Sequence, residues 1–166
     1  MAIDFKKELE SAARSMILVH DPDLLIKTIV RVIVEKSGID HASVLLYKPE
    51  RQAYVLSISG GSLSKKMPIG FASFDKDDSL IRFFRERNCR AIFNSDILTL
   101  EEAQAALKDR NIKERLRNLL GDVIHQMNTL DTVAAIPCYF RDDLLCILLL
   151  GKNRNGTKFS KEELDF

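Results

Sequence analysis

The C-terminal part of the sequence contains the pattern that most restricts the fold. Two apolar segments, residues 132–140 and 144–151, flank a short polar turn at 141–143. Apolar runs of this length joined by a tight polar turn predict a β-hairpin. A polar spacer with Gly156 then leads to Ser160 to Glu163, a capping box that predicts a further helix. The chain ends soon afterwards, so we expect that final helix to be truncated at residue 166 and to continue into a larger protein.

The composition is that of an ordinary soluble globular domain. The 166 residues are 46% apolar and 30% charged, and a chain of this length buries about 70% of its unfolded surface. A net charge of +1 does not favour nucleic acid or an anionic membrane. The longest apolar run, residues 144–150, is too short to span a bilayer, and the N-terminus lacks a signal peptide. We expect a cytoplasmic protein without direct nucleic-acid or membrane contact.

The three cysteines form no CxxC pair, and their odd number does not indicate a disulfide framework. This pattern favours a reducing cytosol. Cys138 and Cys146 fall inside the apolar hairpin, where a free cysteine behaves as a small hydrophobic residue. Cys89, beside Arg87 and Arg90, has the only setting that predicts an exposed and electropositive thiol.

Helical periodicity predicts an amphipathic helix near the N-terminus. From Phe5 to Met16 the apolar residues form a narrow stripe, which suits a seam between two helices. We therefore assign residues 1–20 to an N-terminal helix and expect it to mediate a homodimer. The alternative that stays open is that this helix packs back on its own sheet.

Two longer helices are predicted by their periodicity and their ends. One runs from Asp21 to Ser37, with Pro22 in its first turn and Gly38 as its terminator. The other is a helical region from Thr99 to Asn128, opened by a capping box and divided by a break near residues 109–111.

Shorter segments around these helices predict a sheet. Residues 42–48 and 54–59 alternate as strands do, with Tyr54, Leu56 and Ile58 on one face. The remaining predicted elements are a weak edge strand from Lys66 to Phe74, a helix from Ser79 to Arg87 capped by Asp78 and ended by Asn88, and a strand from Arg90 to Asn94. Because tight turns join most neighbouring strands, we expect an antiparallel sheet in an α+β domain.

Taken in order, these segments resemble a GAF domain, a small sensory module found beside histidine kinases, nucleotide cyclases, phosphodiesterases and enhancer-binding transcription factors. The resemblance rests on the helix from Asp21 to Gly38, the strand from Ala42 to Tyr47, Asn94 to Asp96 as a short strand ending in an acidic residue, the run from Ala135-Ile136-Pro137 to Gly151, and Phe159-Ser160 opening the last helix. It covers residues 21–166. The chain departs from the family in a hairpin turn with Asp142-Asp143 in place of glycine, and in a long helical insert over 99–128.

The resemblance implies N- and C-terminal helices on one face of the sheet, crossover helices on the other, and a ligand pocket beneath the crossovers. The implied pocket residues are Phe74, Asp78, Ser79, Arg82, Asn94, Asp96, Leu98 and Met127. Independently of the family, a helix starting at Ser79 presents free N–H groups suited to an anion or carbonyl, with Arg82 one turn later. The alternative is that Asp78 satisfies those donors and the apolar residues of this helix fill the core.

The sequence gives little support for a metal site, a catalytic motif or a nucleic-acid surface. The three histidines lie on different predicted elements without helical spacing, so we expect no metal site. No GxSxG motif or Gly-rich phosphate loop indicates catalytic residues. The basic segment 108–117 contains acidic residues and no aromatics, which favours a solvated helix face over a nucleic-acid surface.

We therefore expect a non-catalytic regulatory domain of a larger signal-transduction protein, of histidine kinase, cyclase, phosphodiesterase or transcriptional regulator type. An unknown small molecule, with no cofactor, would change its conformation, and the terminal helices would relay that change to a C-terminal output domain. Two alternatives stay open. One is a ligand-free dimerisation or protein-interaction module with a filled core, and the other is a redox enzyme of the free methionine sulfoxide reductase type that uses Cys89.

Overall fold

The computed structural model describes residues 22–61 and 68–156, which fold into helices packed on both faces of one sheet. The elements are α1 (Pro22–Ser37), β1 (His41–Lys48), a 3₁₀ turn (Pro49–Arg51), β2 (Ala53–Gly61), β3 (Ser73–Asp75), α2 (Ser79–Arg85), α3 (Asn88–Phe93), β4 (Leu98–Thr99), α4 (Leu100–Leu107), α5 (Glu114–Thr129), β5 (Ala134–Phe140) and β6 (Asp143–Leu150). The predicted helices over residues 1–20 and from Ser160 lie outside the described residues. No described helix has the length and apolarity needed to cross a bilayer.

The six strands form a single sheet in the order β3-β2-β1-β6-β5-β4, with every neighbouring pair antiparallel. The predicted hairpin is therefore confirmed as β5 and β6. Strand β6 lies between β1 and β5 and has neighbours on both edges, which explains its long apolar run. The predicted edge strand is also present as β3, although it is shorter than expected. The α+β prediction is confirmed.

Helix α1 covers one face of the sheet. Val30 and Val34 of this helix pack with Val44 of β1 in a buried cluster, which we call the α1-side core. The strand beneath approaches the helix closely at Gly60, where an added Cβ atom would lie 2.8 Å from Cγ1 of Val30. Gly38 follows the helix with a φ of +66°, so the predicted left-handed terminator is confirmed.

The crossover helices cover the opposite face. Leu45 and Leu56 of the sheet pack with Phe83 of α2 and Leu120 of α5 in a second and larger cluster, which we call the crossover-side core. Cys89 of α3 and Ala103 of α4 belong to the same cluster. The arrangement of helices on two faces of an antiparallel sheet therefore matches the expected architecture for the described part of the chain.

A β-bulge in β2 corrects the predicted strand faces. Val44 pairs with Ile58, whereas the next residue, Leu45, pairs with Leu56, so Ser57 falls between the paired positions. One extra residue reverses the alternation of all that follows. Leu56 consequently faces the crossover-side core, whereas Ile58 belongs to the α1-side core.

The predicted strand from Arg90 to Asn94, and the strand expected over Asn94 to Asp96, are wrong. Residues 88–93 form helix α3, and Asn88 begins this helix instead of ending the one before it. Arg87 and Asn94 on either side have φ values of +56° and +51°. Short apolar segments fit a strand or a helix equally well, and here the helix buries Cys89 at 2% exposure.

The hairpin turn also differs from the prediction. Phe140 pairs with Asp143, so the two turn residues are Arg141 and Asp142, and Asp143 belongs to β6. Arg141, not an aspartate, takes the left-handed conformation, with a φ of +56°.

The long helical insert is divided as predicted, into α4 and α5. At the start of α4, Thr99 Oγ1 accepts a hydrogen bond from the Glu102 backbone N at 3.2 Å. The Thr99 hydroxyl also donates to Glu102 Oε2 at 2.9 Å. The predicted capping residues are therefore in contact, and the Leu100 backbone N is satisfied by the carbonyl of Val133 at 2.8 Å.

Candidate functional site

The beginning of α2 is the centre of the predicted pocket. The sequence left two alternatives for its backbone N–H groups, that they are free for a ligand or that Asp78 caps them, and the structure shows neither. Among the described residues, the Asp78 side chain makes no capping hydrogen bond. Asp78 Oδ2 instead accepts from the Asp75 backbone N at 2.7 Å. The Leu80 backbone N donates to Oε1 of Gln126, on α5, at 2.7 Å. The expectation that Asp78 satisfies the free donors of α2 is therefore wrong, because a side chain from another helix satisfies one of them.

The sequence pattern does not single out Gln126 as a site residue. It lies on α5 between apolar positions and is half-buried. A half-buried polar residue on a helix is the signal that could have drawn attention to it, because buried amides require partners. Its partner lies 46 residues away along the chain, so no local pattern could have named that partner.

Three of the predicted pocket residues lie on or next to α2. Ser79 and Asp78 are half-buried at its start. Arg82 Nε lies 3.6 Å from Glu86 Oε1, with the Arg82 side chain 35% exposed. That nitrogen is buried and has no hydrogen-bond partner among the described residues. A donor in this position is able to donate a hydrogen bond to a further polar group.

Two other predicted residues follow α3 and are more exposed. Asn94 ends the helix and is exposed, whereas Asp96 is half-buried. Asp96 Oδ2 lies 3.0 Å from NH1 of Arg90, in a surface ion pair. Such exposed pairs contribute little to stability.

The last three predicted residues are part of the apolar packing. Leu98 and Met127 have no solvent exposure and belong to the crossover-side core, against which the half-buried Phe74 packs. The fold thus brings Phe74, Leu98 and Met127 into one cluster. Apolar side chains such as Phe83 and Phe84, also without exposure, fill the same layer between sheet and helices.

A contact between the hairpin and α2 lies close to these residues. The Tyr139 hydroxyl donates to the Phe84 carbonyl at 2.7 Å, and the Arg87 guanidinium carbon lies 3.6 Å from the centre of the Tyr139 ring. Burial raises the pKa of Tyr139 to about 12, although the Arg87 charge opposes the shift. The tyrosine is therefore a neutral hydrogen-bond donor at physiological pH, and it fixes the end of α2 to β5.

Cys89 does not have the setting that the sequence predicted. It is 2% exposed, and burial, with the charges of Glu102 and Asp96, raises the pKa of its thiol to about 12. The two neighbouring arginines are directed elsewhere, Arg87 to Tyr139 and Arg90 to Asp96. The prediction of an exposed and electropositive thiol is wrong, because sequence neighbours on a helix do not share one face.

One group of side chains in the described residues brings possible metal ligands together. Ligand atoms of Asp40, His41 and Asp131 lie within 4.8 Å of one another. His41 is 1% exposed, and its Nδ1 is 2.8 Å from Asp40 Oδ1. This contact holds the imidazole through its Nδ1 at the start of β1.

A cleft of about 650 Å³ lies on the opposite side of the sheet from the predicted pocket. Its walls include Lys27, Val30 and Arg31 of α1, together with Ile58 and Arg154. The volume is in the range of small-molecule sites. None of the residues implied by the family resemblance lines this cleft.

We expect Gln126→Ala to lower the free energy of unfolding by about 1 kcal/mol, because the Leu80 N–H loses its partner at a helix end. Urea unfolding followed by circular dichroism measures the change. Gln104→Ala is the matched control, since Gln104 is exposed on α4 and carries the same change in helix propensity. Equal stabilities of the two variants would contradict the capping role of Gln126.

Comparison with known proteins identifies the fold. No protein-family model and no curated protein matches the sequence. Among solved structures, the GAF domain of an Acinetobacter phosphoenolpyruvate-protein phosphotransferase matches with a TM-score of 0.63 and 17% identity, over 99% of this chain and 86% of its own. The fold is that of a GAF domain. The corresponding domain from Coxiella burnetii matches this GAF-like chain at 22% identity and a TM-score of 0.59, over 95% of this chain and 82% of its own.

A third GAF domain, bound to phycocyanobilin in a cyanobacterial phytochrome, matches with a TM-score of 0.62 and 12% identity, over 99% of this chain and 88% of its own. At these sequence identities, the likeness of this chain to the three structures shows a shared fold. In this GAF-like domain, the residues implied for a pocket lie in the part of the chain that runs from β3 to α5, including these two elements.

Proposed function

We propose that this GAF-like domain is a non-catalytic regulatory module of a larger signalling protein and that it responds to a small molecule. The observation that supports this most directly is the fold itself, which is shared over nearly the whole chain with GAF domains of a phosphotransferase and a phytochrome. The ligand would act at the start of α2, where Ser79 and Arg82 lie half-buried.

The contacts of α2 support a conformational response. This helix has only seven residues, and its two ends are fixed by different elements, Leu80 by Gln126 of α5 and Phe84 by Tyr139 of β5. A ligand that accepts a hydrogen bond from Arg82 Nε or competes for the Leu80 N–H would favour one position of α2 over another. Only such a difference in affinity can shift a conformational equilibrium.

The route to an output is part of the same proposal. Strand β5 contacts α2 through Tyr139, and β6 joins β5 to β1 in the middle of the sheet. We propose that the change passes through the sheet to the terminal helices of a cytoplasmic homodimer and then to an output domain after residue 166. The domain would comprise residues 21–166, and the segment 1–20 would form the dimer helix.

Ligand-dependent thermal stabilisation tests the sensor proposal. We expect one member of a panel of cyclic nucleotides, amino acids, oxoacids and haem to raise the melting temperature. At one hundred times the dissociation constant, the gain is about 2.7 kcal/mol, or roughly 5 to 10 °C for a domain of this size. Arg82→Ala should abolish this shift, whereas Arg85→Ala, an exposed site on the same helix, should retain it. No shift with any compound would contradict the proposal.

A second candidate function is a ligand-free interaction module. The observation that favours it is the filled layer under the crossover helices, where Phe83, Phe84, Leu98 and Met127 have no exposure. This candidate predicts no thermal shift and a dimer or partner complex that persists without any metabolite. Sedimentation at tens of micromolar separates the outcomes, because a monomer without partner binding would contradict this second function.

A further inference from the structure

The hairpin places two cysteines directly opposite each other. Cys138 of β5 pairs with Cys146 of β6 in the ladder, beside the pair formed by Tyr139 and Leu144. Facing residues of antiparallel strands have Cβ atoms about 4.5 to 5.5 Å apart, close to the separation that a disulfide requires. Both side chains therefore occupy one site on the sheet surface.

This site is accessible, in contrast to the prediction that both cysteines pack as small hydrophobic residues. Cys138 is exposed and Cys146 is half-buried, whereas Cys89 is buried. Cys146 packs at the margin of the α1-side core with Leu148. An oxidant in solvent can thus reach Cys138 first, with Cys146 next to it.

The two paired cysteines have different pKa values. A hydrogen bond from Cys146 lowers the pKa of Cys138 to about 7, against the opposing effect of burial. The same bond, with burial, raises the pKa of Cys146. At neutral pH Cys138 is therefore partly a thiolate and Cys146 a thiol. An accessible thiolate with a neighbouring second cysteine is the arrangement that favours reversible oxidation.

We propose that Cys138 and Cys146 form a redox site that hydrogen peroxide converts into a cross-strand disulfide. The Cys138 thiolate attacks one peroxide oxygen, the O–O bond breaks, and the departing hydroxide takes a proton to become water. Cys146 then loses its proton and attacks the sulfur of the Cys138 sulfenic acid, and the S–O bond breaks to release a second water. Two thiols lose two electrons in total, and one peroxide is reduced to two waters. A dithiol reductant reverses the reaction.

Peroxide treatment of the reduced full chain tests the proposal. We expect the intact mass to fall by two hydrogens, a non-reduced peptide map to show the Cys138–Cys146 link, and dithiothreitol to restore the starting mass. Cys146→Ser should stop at a Cys138 sulfenic acid that dimedone traps, and Cys138→Ser should show no loss of hydrogens. Cys89→Ser is the matched control and should be oxidised like the wild type. Intact thiols after excess peroxide, or a link that uses Cys89 or a second molecule, would overturn the proposal.

The melting temperature and the pH dependence of alkylation also report on the cysteine pair, so the test does not depend on whether one variant folds. The disulfide should raise the melting temperature by roughly 5 °C, because it restricts the unfolded chain. Alkylation of Cys138 should accelerate as the pH rises through about 7, and Cys146→Ala should move this midpoint towards that of an ordinary thiol. An unchanged midpoint in Cys146→Ala would contradict the assigned role of the hydrogen bond.

Discussion

Phe83→Ala is expected to lower the free energy of unfolding by about 3 to 5 kcal/mol, the range for a large aromatic side chain removed from a core. Phe83 has no solvent exposure, and its ring packs edge-to-face on Phe84 with centroids 5.7 Å apart. Its removal loses apolar burial and leaves a cavity between sheet and crossover helices that the surroundings cannot fill. Urea unfolding at neutral pH, followed by circular dichroism, measures the loss.

Phe71→Ala is the control for this experiment. Phe71 carries the same side chain at 62% exposure, so its truncation should change stability by less than about 0.5 kcal/mol. A small effect of Phe83→Ala on the free energy of unfolding would contradict close packing of the crossover-side core. It would mean that this space accommodates the loss of a ring, which would also weaken the case for the ligand-free interaction module.

Gly61→Ala is expected to destabilise the domain by about 3 kcal/mol, at or above the upper end for overpacking. Gly61 has a φ of +137°, and an added Cβ would overlap the Asp40 carbonyl oxygen and lie 2.7 Å from the His41 Cα. Both contacts are with backbone, so no side-chain rotation relieves them. The strands β1 and β2 would have to separate at their ends. Thermal and urea unfolding measure the loss.

Gly121→Ala is the matched control and should act in the opposite direction. Gly121 lies in the middle of α5, and no atom within the described residues would approach an added Cβ to within 4 Å. Replacement by alanine in an open helical position stabilises a protein by about 0.5 to 1 kcal/mol. If both variants lost similar amounts of stability, the specific contact at Gly61 would be contradicted.

Local patterns were sufficient for the elements whose signals lie within one stretch of chain. The helix α1 was predicted from its apolar period and from Gly38, and the hairpin from two apolar runs with a polar turn. The capping residue Thr99 and the break between α4 and α5 were also predicted. In each of these, neighbouring residues supply both the propensity and its termination.

The misplaced elements depended on contacts between distant residues. The sequence of α3 predicts a strand as readily as a helix, because its short apolar segment fits both states, and burial of Cys89 under the crossover helices selects the helix. The bulge at Ser57 depends on how β2 aligns with β1, and that alignment is absent from either strand alone. Registers of this kind are set by packing on both faces of the sheet.

The candidate sites show the same difference between features set by local sequence patterns and features set by contacts between distant residues. The sequence by itself determined helix α1, the hairpin of β5 and β6, the divided helical insert and the α+β class of a GAF-like fold, because periodicity and capping act over a few residues. Only the tertiary structure decided that Gln126 caps α2, that Cys89 is buried, and that Cys138 faces Cys146. Each of these depends on a partner from another element, and the surroundings of a side chain, more than its neighbours in sequence, set its charge, access and reactivity.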